Sequence, residues 1–522
     1  YYRNNGFYNV QVNQSFVELK EDNTFKLIFN INSGPKFTIN KVNLIIPNDY
    51  DPTHFESINK VLSKLEEKDY SLNKINTILK EIDKIALSKQ YEFINAKLSE
   101  SIIDKNKLNI IIKLVDTEKT YVEKINVYGN QFTLEEVIRN AFIVDEGDAY
   151  NEILFNKSIN NIKAKNIFKK VEKNIKVGSD KNLKIIDITV EEKPTGEISL
   201  GAGIGSTGGT LGGGIKENNF LGRGITLDSS LALTADTIKG QFVYSKPNFA
   251  YTDNTLFTSI ESTSNDKMKV YGYKTTGMGI ALSTKFEQYD NLFFRPEIST
   301  NTEKLETNST ATSELKAQNG DYFDANFNYS LDYDLRNKRY QPSDGYRTIF
   351  SQDLPLISNT YEIINTLVIS KYKPLVSGMI GEISFYGKTV NTVSGKDVRV
   401  SKRANIPSSK LRGFEAGKVG PKSNNDYIGG NYVTAVNLST TLPQILPSLE
   451  YTDFSLFMDA ANVWGVDHAN STKEHSTIRS SVGVGVKFMS PIGPLNFSLS
   501  QPITKSSTDK TESFRFSLGT SF

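Results

Sequence analysis

The 522-residue chain contains no cysteine, so disulfide scaffolds, cysteine-ligated metal centres and cysteine nucleophiles are excluded together. It holds only three histidines (His54, His468 and His475) and one tryptophan, Trp464, which leaves little for imidazole chemistry. It lacks an excess of either charge: 61 basic residues stand against 59 acidic ones, which argues against a dedicated nucleic-acid surface. No stretch reaches the ~18 consecutive apolar residues that a membrane-spanning helix needs. A membrane β-barrel stays open, because its alternating strands average to a polar composition. The chain starts on Tyr1 with neither a Met nor a signal-peptide pattern, as expected of a processed or truncated product.

Glycine is scarce in one part of the chain only. Residues 1–194 hold five of the 36 glycines and about half of the charged residues, whereas residues 195–522 are rich in glycine and aromatics. The first part repeats itself. A turn with an aromatic and an extended segment, NNGFYNVQV from Asn4, recurs as KQYEFINAKL from Lys89 and KNIFKKVEKNI from Lys165. Each is followed by an apolar or alternating run, from Phe25, Leu108 and Leu183. A period of ~75–85 residues is a small domain, too long for a solenoid repeat. In the best-defined unit, YVEKINVYGN (Tyr121–Asn130) alternates as a strand and stops at a Gly-Asn turn. Thr133 with Glu136 three residues on predicts a capping box for a helix to Phe142, and a second helix runs from Asn151 to about Ala164 with Ile153, Ile159 and Ile162 on one face. Two strands close this unit, giving β-α-α-β-β over residues 118–194. The same order, with a longer second helix from Leu72 to Ser88, spans 36–117, and residues 1–35 supply only the last two strands of a truncated unit. Further units are therefore expected upstream.

From residue 195 about sixteen strand-like segments follow, with no helix expected among them. ESFRFSLGTSF shows the pattern: Phe514, Phe516, Leu518, Thr520 and Phe522 share one face, and Ser513, Arg515, Ser517, Gly519 and Ser521 the other. A soluble sandwich also alternates, but many evenly spaced strands and a terminal aromatic favour a closed membrane barrel, whose closure removes every sheet edge. The fold class is thus multidomain: α+β units followed by a sixteen-stranded antiparallel transmembrane barrel over 195–522.

Few residues offer chemistry. Gly203, Gly205 and Gly208 match a dinucleotide-type turn, but TLGGGIKENNF after them is no helix, so the segment reads instead as a weakly packed, glycine-rich first strand. His468 and His475 sit in a polar loop without a defined ligand set, and Lys163–Lys170 reads as a solvated helix end, with lipid headgroups as the alternative. Nothing forms a nucleophile–base or metal constellation, so no enzyme and no cofactor is expected. The informative segment is SSKLRGFEAGKVGPKSNNDYIGGNY (Ser409–Tyr432), a long connection that carries Leu411, Phe414 and Val419 where a plain solvated loop would be polar. It predicts a loop over 409–430 folded into the barrel, with Arg412 paired to a carboxylate. Asp459 in FMDAANVW has the strand parity of a lumen-facing residue and is the candidate partner.

LRGFEAGKVGPK, GGNY, FMDAANVW, SVGVGVKFMSPIGPLNFSLSQPI, NNFLGRG and RYQPSDGYR together resemble the BamA family of bacterial outer-membrane protein insertases, in which POTRA domains precede the barrel. The resemblance covers essentially the whole chain. It implies an outer-membrane protein with periplasmic N-terminal domains, which assembles unfolded β-barrel clients with accessory lipoproteins and periplasmic chaperones. It also implies that Leu411, Arg412, Gly413 and Phe414 form an inward-loop motif contacting Asp459. Ser439 stands where the family often has a glutamate. On this reading the first strand, with Glu197, Ile198, Ser199 and Leu200 followed by Gly201, Gly203 and Gly205, pairs poorly with the last strand, Glu512–Phe522. Phe514, Phe516, Leu518 and Phe522 of that last strand then flank a lateral seam that clients enter by β-augmentation. A TamA-like assembly subunit, a two-partner secretion transporter and a passive porin are the alternatives.

Overall fold

In the computed structural model, residues 2–519 are described apart from 20–24, 90, 92–93, 105, 117–119, 207, 253, 290, 340, 444–451, 468–471, 474–476 and 491–492. The chain divides into two compact units, Tyr1–Lys193 and Pro194–Phe522.

The first unit contains a two-stranded antiparallel hairpin, Gln11–Leu19 with Phe25–Asn32, and two three-stranded sheets. In the first sheet the central strand Lys107–Asp116 runs parallel to Thr38–Ile45 and antiparallel to Ile94–Asp104. Alternation explains it: Leu108, Ile110, Ile112 and Leu114 all face one side and are buried. The helix Leu72–Ser88 covers that face through Ile75, Ile78 and Ile82, which recur at helical spacing. The second sheet repeats this arrangement, with Leu183–Glu192 central and Ile186, Ile188 and Val190 buried against Phe155, Ile159 and Ile162 of the helix Glu152–Ala164. The side chain of Ile153 is outside the described residues.

The capping box does not form. The helix is shorter than expected, Glu135–Arg139, and Leu134 at its N-cap makes no side-chain cap. Thr133 and its neighbours turn instead to the end of the central strand, where the Glu192 carboxylate accepts from the amides of Gln131, Phe132 and Thr133, the last at 2.6 Å. Burial of Glu192 opposes its charge, but bonds from the Thr133 side chain and these amides outweigh it and hold the carboxyl below its usual range.

The second unit is a closed antiparallel barrel of sixteen strands, from Gly196–Gly205 to Phe514–Gly519. Its strands point apolar side chains such as Phe242, Ile260, Ile280, Met458 and Val484 outward, while the alternate residues line the lumen. Two single-turn helices, Met268–Tyr271 and Ser313–Lys316, interrupt the run of strands, contrary to the helix-free expectation. Both lie in turns at the end of the barrel where the long connections gather. At that end the connection 393–431 folds inward, and its two-residue strands Lys422–Ser423 and Asp426–Tyr427 form a small sheet with Thr472–Lys473. His468, His475, Thr520, Ser521 and Phe522 are outside the described residues.

Candidate functional site

The inward loop carries Arg412 to the wall strand Thr452–Trp464. The Arg412 guanidinium donates through Nε to Asp459 Oδ2 and through its terminal nitrogen to Oδ1, both at 2.7 Å, and its own backbone N–H adds a third bond at 3.0 Å. Asp459 is fully buried, and Asn437 donates to its Oδ1 at 2.8 Å. The guanidinium also lies 3.3 Å from the centre of the Phe457 ring. A buried carboxylate served this fully is costly to orphan, by about 3–5 kcal/mol when its cationic partner is removed.

Gly413 explains why the motif needs glycine. Its φ is +89°, and a Cβ there would stand 3.1 Å from Ser481 Cβ. The Ser481 hydroxyl takes advantage of that approach and donates to the Arg412 carbonyl at 2.5 Å. Leu411, Phe414 and Val419 then close an apolar cluster with Val390, Val433, Ala435, Ala461 and Val463 of the wall. Ser439 faces Glu382 in register on the preceding strand and donates to its Oε2 at 3.2 Å. A lumen carboxylate thus stands one strand away from the position where the resemblance implied one.

Sequence reasoning missed a second arginine. Arg399, 1% exposed, donates to Glu362 at 3.0 Å and to Asp324 at 2.6 Å, lies 3.6 Å from Glu303, and stacks 4.4 Å from the Tyr322 ring centre. Burial opposes its charge, but Glu362 and Asp324 more than offset that and raise its pKa. Its only sequence signal was an arginine between two valines, in a loop whose three carboxylate partners come from three different strands.

At the seam, among the described residues, the last strand pairs with the first over three residues: Ser517 with Gly205, Leu518 with Ile204, and Gly519 with Gly203. On its other edge the first strand pairs with its hairpin partner over the whole length from Gly196 to Gly205. Ile198 and Leu200 are 78% and 85% exposed, facing outward, and Glu197, Ser199 and Gly201 occupy the opposite face. Phe514 is exposed on the outer side of the last strand and stacks on Phe516 at 6.0 Å.

Residues 219–522, more than half of the chain, match the model of the Omp85 superfamily domain. The chain belongs to the Omp85 superfamily. Residues 120–193 match the POTRA model, described as a surface antigen variable number repeat. Over its whole length the chain is 23% identical to outer membrane protein assembly factor BamA of Neisseria meningitidis serogroup B and spans 72% of that protein. It is 23% identical to BamA of Neorickettsia risticii over 78% of this chain, and spans only 56% of that relative. Among solved structures, BamA from Haemophilus ducreyi lacking POTRA domains 1–3 superposes with a TM-score of 0.70 at 22% identity, over 93% of this chain and 100% of that one. CdiB from Acinetobacter baumannii reaches 0.50 at 12% identity, over 92% and 89%. This Omp85 chain is a bacterial outer-membrane β-barrel with POTRA domains on its periplasmic side. The first strand therefore begins at the periplasmic end, and the inward loop descends from the extracellular one.

Proposed function

We propose that this Omp85 protein is an outer-membrane protein assembly factor that inserts β-barrel clients through the seam between its first and last strands. The observation that carries the reading is the asymmetry of the first strand, hydrogen-bonded along one edge and paired over only Gly203–Gly205 at the seam among the described residues. An unpaired backbone group in hydrocarbon costs several kcal/mol, so a partly unpaired edge seeks another strand. A client strand supplies one by β-augmentation, and the hydrogen bonds gained drive the step without a nucleotide or a covalent intermediate. Four glycines, Gly196, Gly201, Gly203 and Gly205, lower the cost of separating this edge, because they contribute no side-chain packing to the seam. Unfolded barrel proteins are the clients on this reading, delivered by periplasmic chaperones and received with accessory outer-membrane lipoproteins. The POTRA sheets offer further strand edges for the same mode of recognition.

The test is to lock the seam. Ile204→Cys with Leu518→Cys, register partners in a chain with no other cysteine, should abolish client assembly when oxidised and restore it on reduction. Full assembly with the disulfide formed would sink the seam reading. Export of a polypeptide through the lumen, undisturbed by the lock, would point to a secretion transporter instead.

A further inference from the structure

We propose that Arg515 is the positioning residue through which the inward loop holds the last barrel strand at the seam. The inference rests on the seam reading above and adds to it a named control point. Arg515 lies between Phe514 and Phe516 on the last strand, and alternation turns it into the lumen while Phe514 faces outward. There its guanidinium donates to two carbonyls of the inward loop, Ser408 at 2.6 Å and Phe414 at 2.5 Å, and pairs with Glu512 at 3.0 Å. Backbone bonds continue the contact: Glu512 N–H donates to Gly413 O at 3.1 Å, Glu415 N–H to Lys510 O at 3.0 Å, and Phe414 forms a bridge with Thr511. The approach to the last strand is thus paired to the residues that follow Arg412.

The last strand needs this support because it overshoots its neighbour. The described ladder with the first strand begins only at Ser517, with Phe516 above it reaching just the backbone and hydroxyl of Ser206 in the turn. Phe514 and Arg515 lie beyond that point. The loop holds them from inside, and its other end is fixed to the opposite wall by Arg399 on Asp324 and Glu362. The connection therefore acts as a strut across the lumen, tied at one end to buried carboxylates and at the other to the strand that borders the seam. Only arginine suits that end: a planar fork of five donors serves two carbonyls and a carboxylate at once, where lysine presents a single compact ammonium and glutamine two N–H groups. At 14% exposure the Arg515 side chain is largely shielded from competing water.

The test measures seam closure directly. In lipid vesicles, the rate of disulfide formation between Ile204→Cys and Leu518→Cys reports how much of the time the two strands are in register. With Arg515→Gln the rate should fall about fivefold or more, the equivalent of one lost net hydrogen bond. Arg515→Lys should recover part of it. A control pair on a neighbouring ladder, Val484→Cys with Leu499→Cys, should be unchanged, as a general loss of stability would not allow. Heat-modifiable gel mobility checks that each barrel is folded. If Arg515→Gln does not fold, Glu512→Gln, which keeps the guanidinium and removes the carboxylate that orients it, should lower the rate about twofold. An unchanged or faster seam disulfide in the folded variants, or an equal slowing of the control pair, overturns the proposal. The two readings fail separately: a locked seam that still assembles clients removes the seam mechanism, whereas a locked seam that blocks assembly beside an Arg515→Gln seam that closes normally removes only the latch.

Discussion

In the N-terminal units the largest fully buried side chains are apolar or aromatic, Phe37, Phe55, Ile110 and Phe155 among them. In the barrel the two largest fully buried side chains are arginines, Arg399 and Arg479, and the carboxylates of Asp509, paired with Arg479, and Asp459, paired with Arg412, are 0% exposed. One chain thus packs two ways. The soluble units gain stability by removing aliphatic surface from water, at ~25 cal/mol per Å². The barrel turns most of its aliphatic residues toward lipid, where they need no burial, and apart from apolar clusters such as the one around Leu411 and Phe414 it holds its interior together with charge and hydrogen bonds. Such interiors are specific but unforgiving, because every partner removed leaves a charge behind.

Breaking one lumen pair should give the largest effect. Arg412→Ala, which orphans the buried Asp459, should destabilise the barrel by about 3–5 kcal/mol, measured as the shift in its urea unfolding midpoint. Adding Asp459→Asn to it should cost far less than Asp459→Asn does alone; additive costs would remove the pair as an energetic unit. The lipid face provides the second test, on adjacent residues of the strand Thr237–Lys246. Phe242→Lys, directed at lipid, should cost about 2–4 kcal/mol if the site lies near mid-bilayer, whereas Gln241→Lys, lining a lumen cavity beside Glu261, should cost almost nothing. Equal effects at the two positions would contradict the inside-out packing.

The smallest effect belongs to the soluble side. Because the folded-state pKa of Glu192 is depressed below 4.5, its contribution is fully present above that pH and is lost as pH falls through the lower, folded value. Hydrogen-exchange protection of the Gln131, Phe132 and Thr133 amides should therefore decline below about pH 4.5. Glu192→Gln should remove that pH dependence, and a dependence that persisted would assign it to another group.

Much of this was legible in advance, and the exceptions share a cause. The two α+β units could be read because their signals are local: alternation in the strand from Lys107, helical spacing of Ile75, Ile78 and Ile82, and a repeated turn. The capping box failed although Thr133 and Glu136 satisfied the local rule, because Glu192, 59 residues away, offered the Thr133 amide a better acceptor. Arg412 and Asp459 could be proposed together because an apolar loop around a single arginine, and a carboxylate of lumen parity, are both local patterns. Arg399 carried no comparable signal, since its partners lie on strands whose mutual distance no local pattern sets.

The sequence by itself determined which residue of each strand faces lipid and which faces the lumen, since side chains alternate along any extended chain regardless of what lies beside it. It also determined that the first strand would be glycine-rich and that one loop would be too apolar to lie in water. Only the tertiary structure decided which charges meet: Arg412 with Asp459 across 47 positions, Arg399 with Asp324 across 75, and Arg515 with the Phe414 carbonyl across 101. Those contacts depend on barrel closure, strand register and the path of one loop through the lumen. Those are properties of the whole ring, and no segment of it encodes them alone.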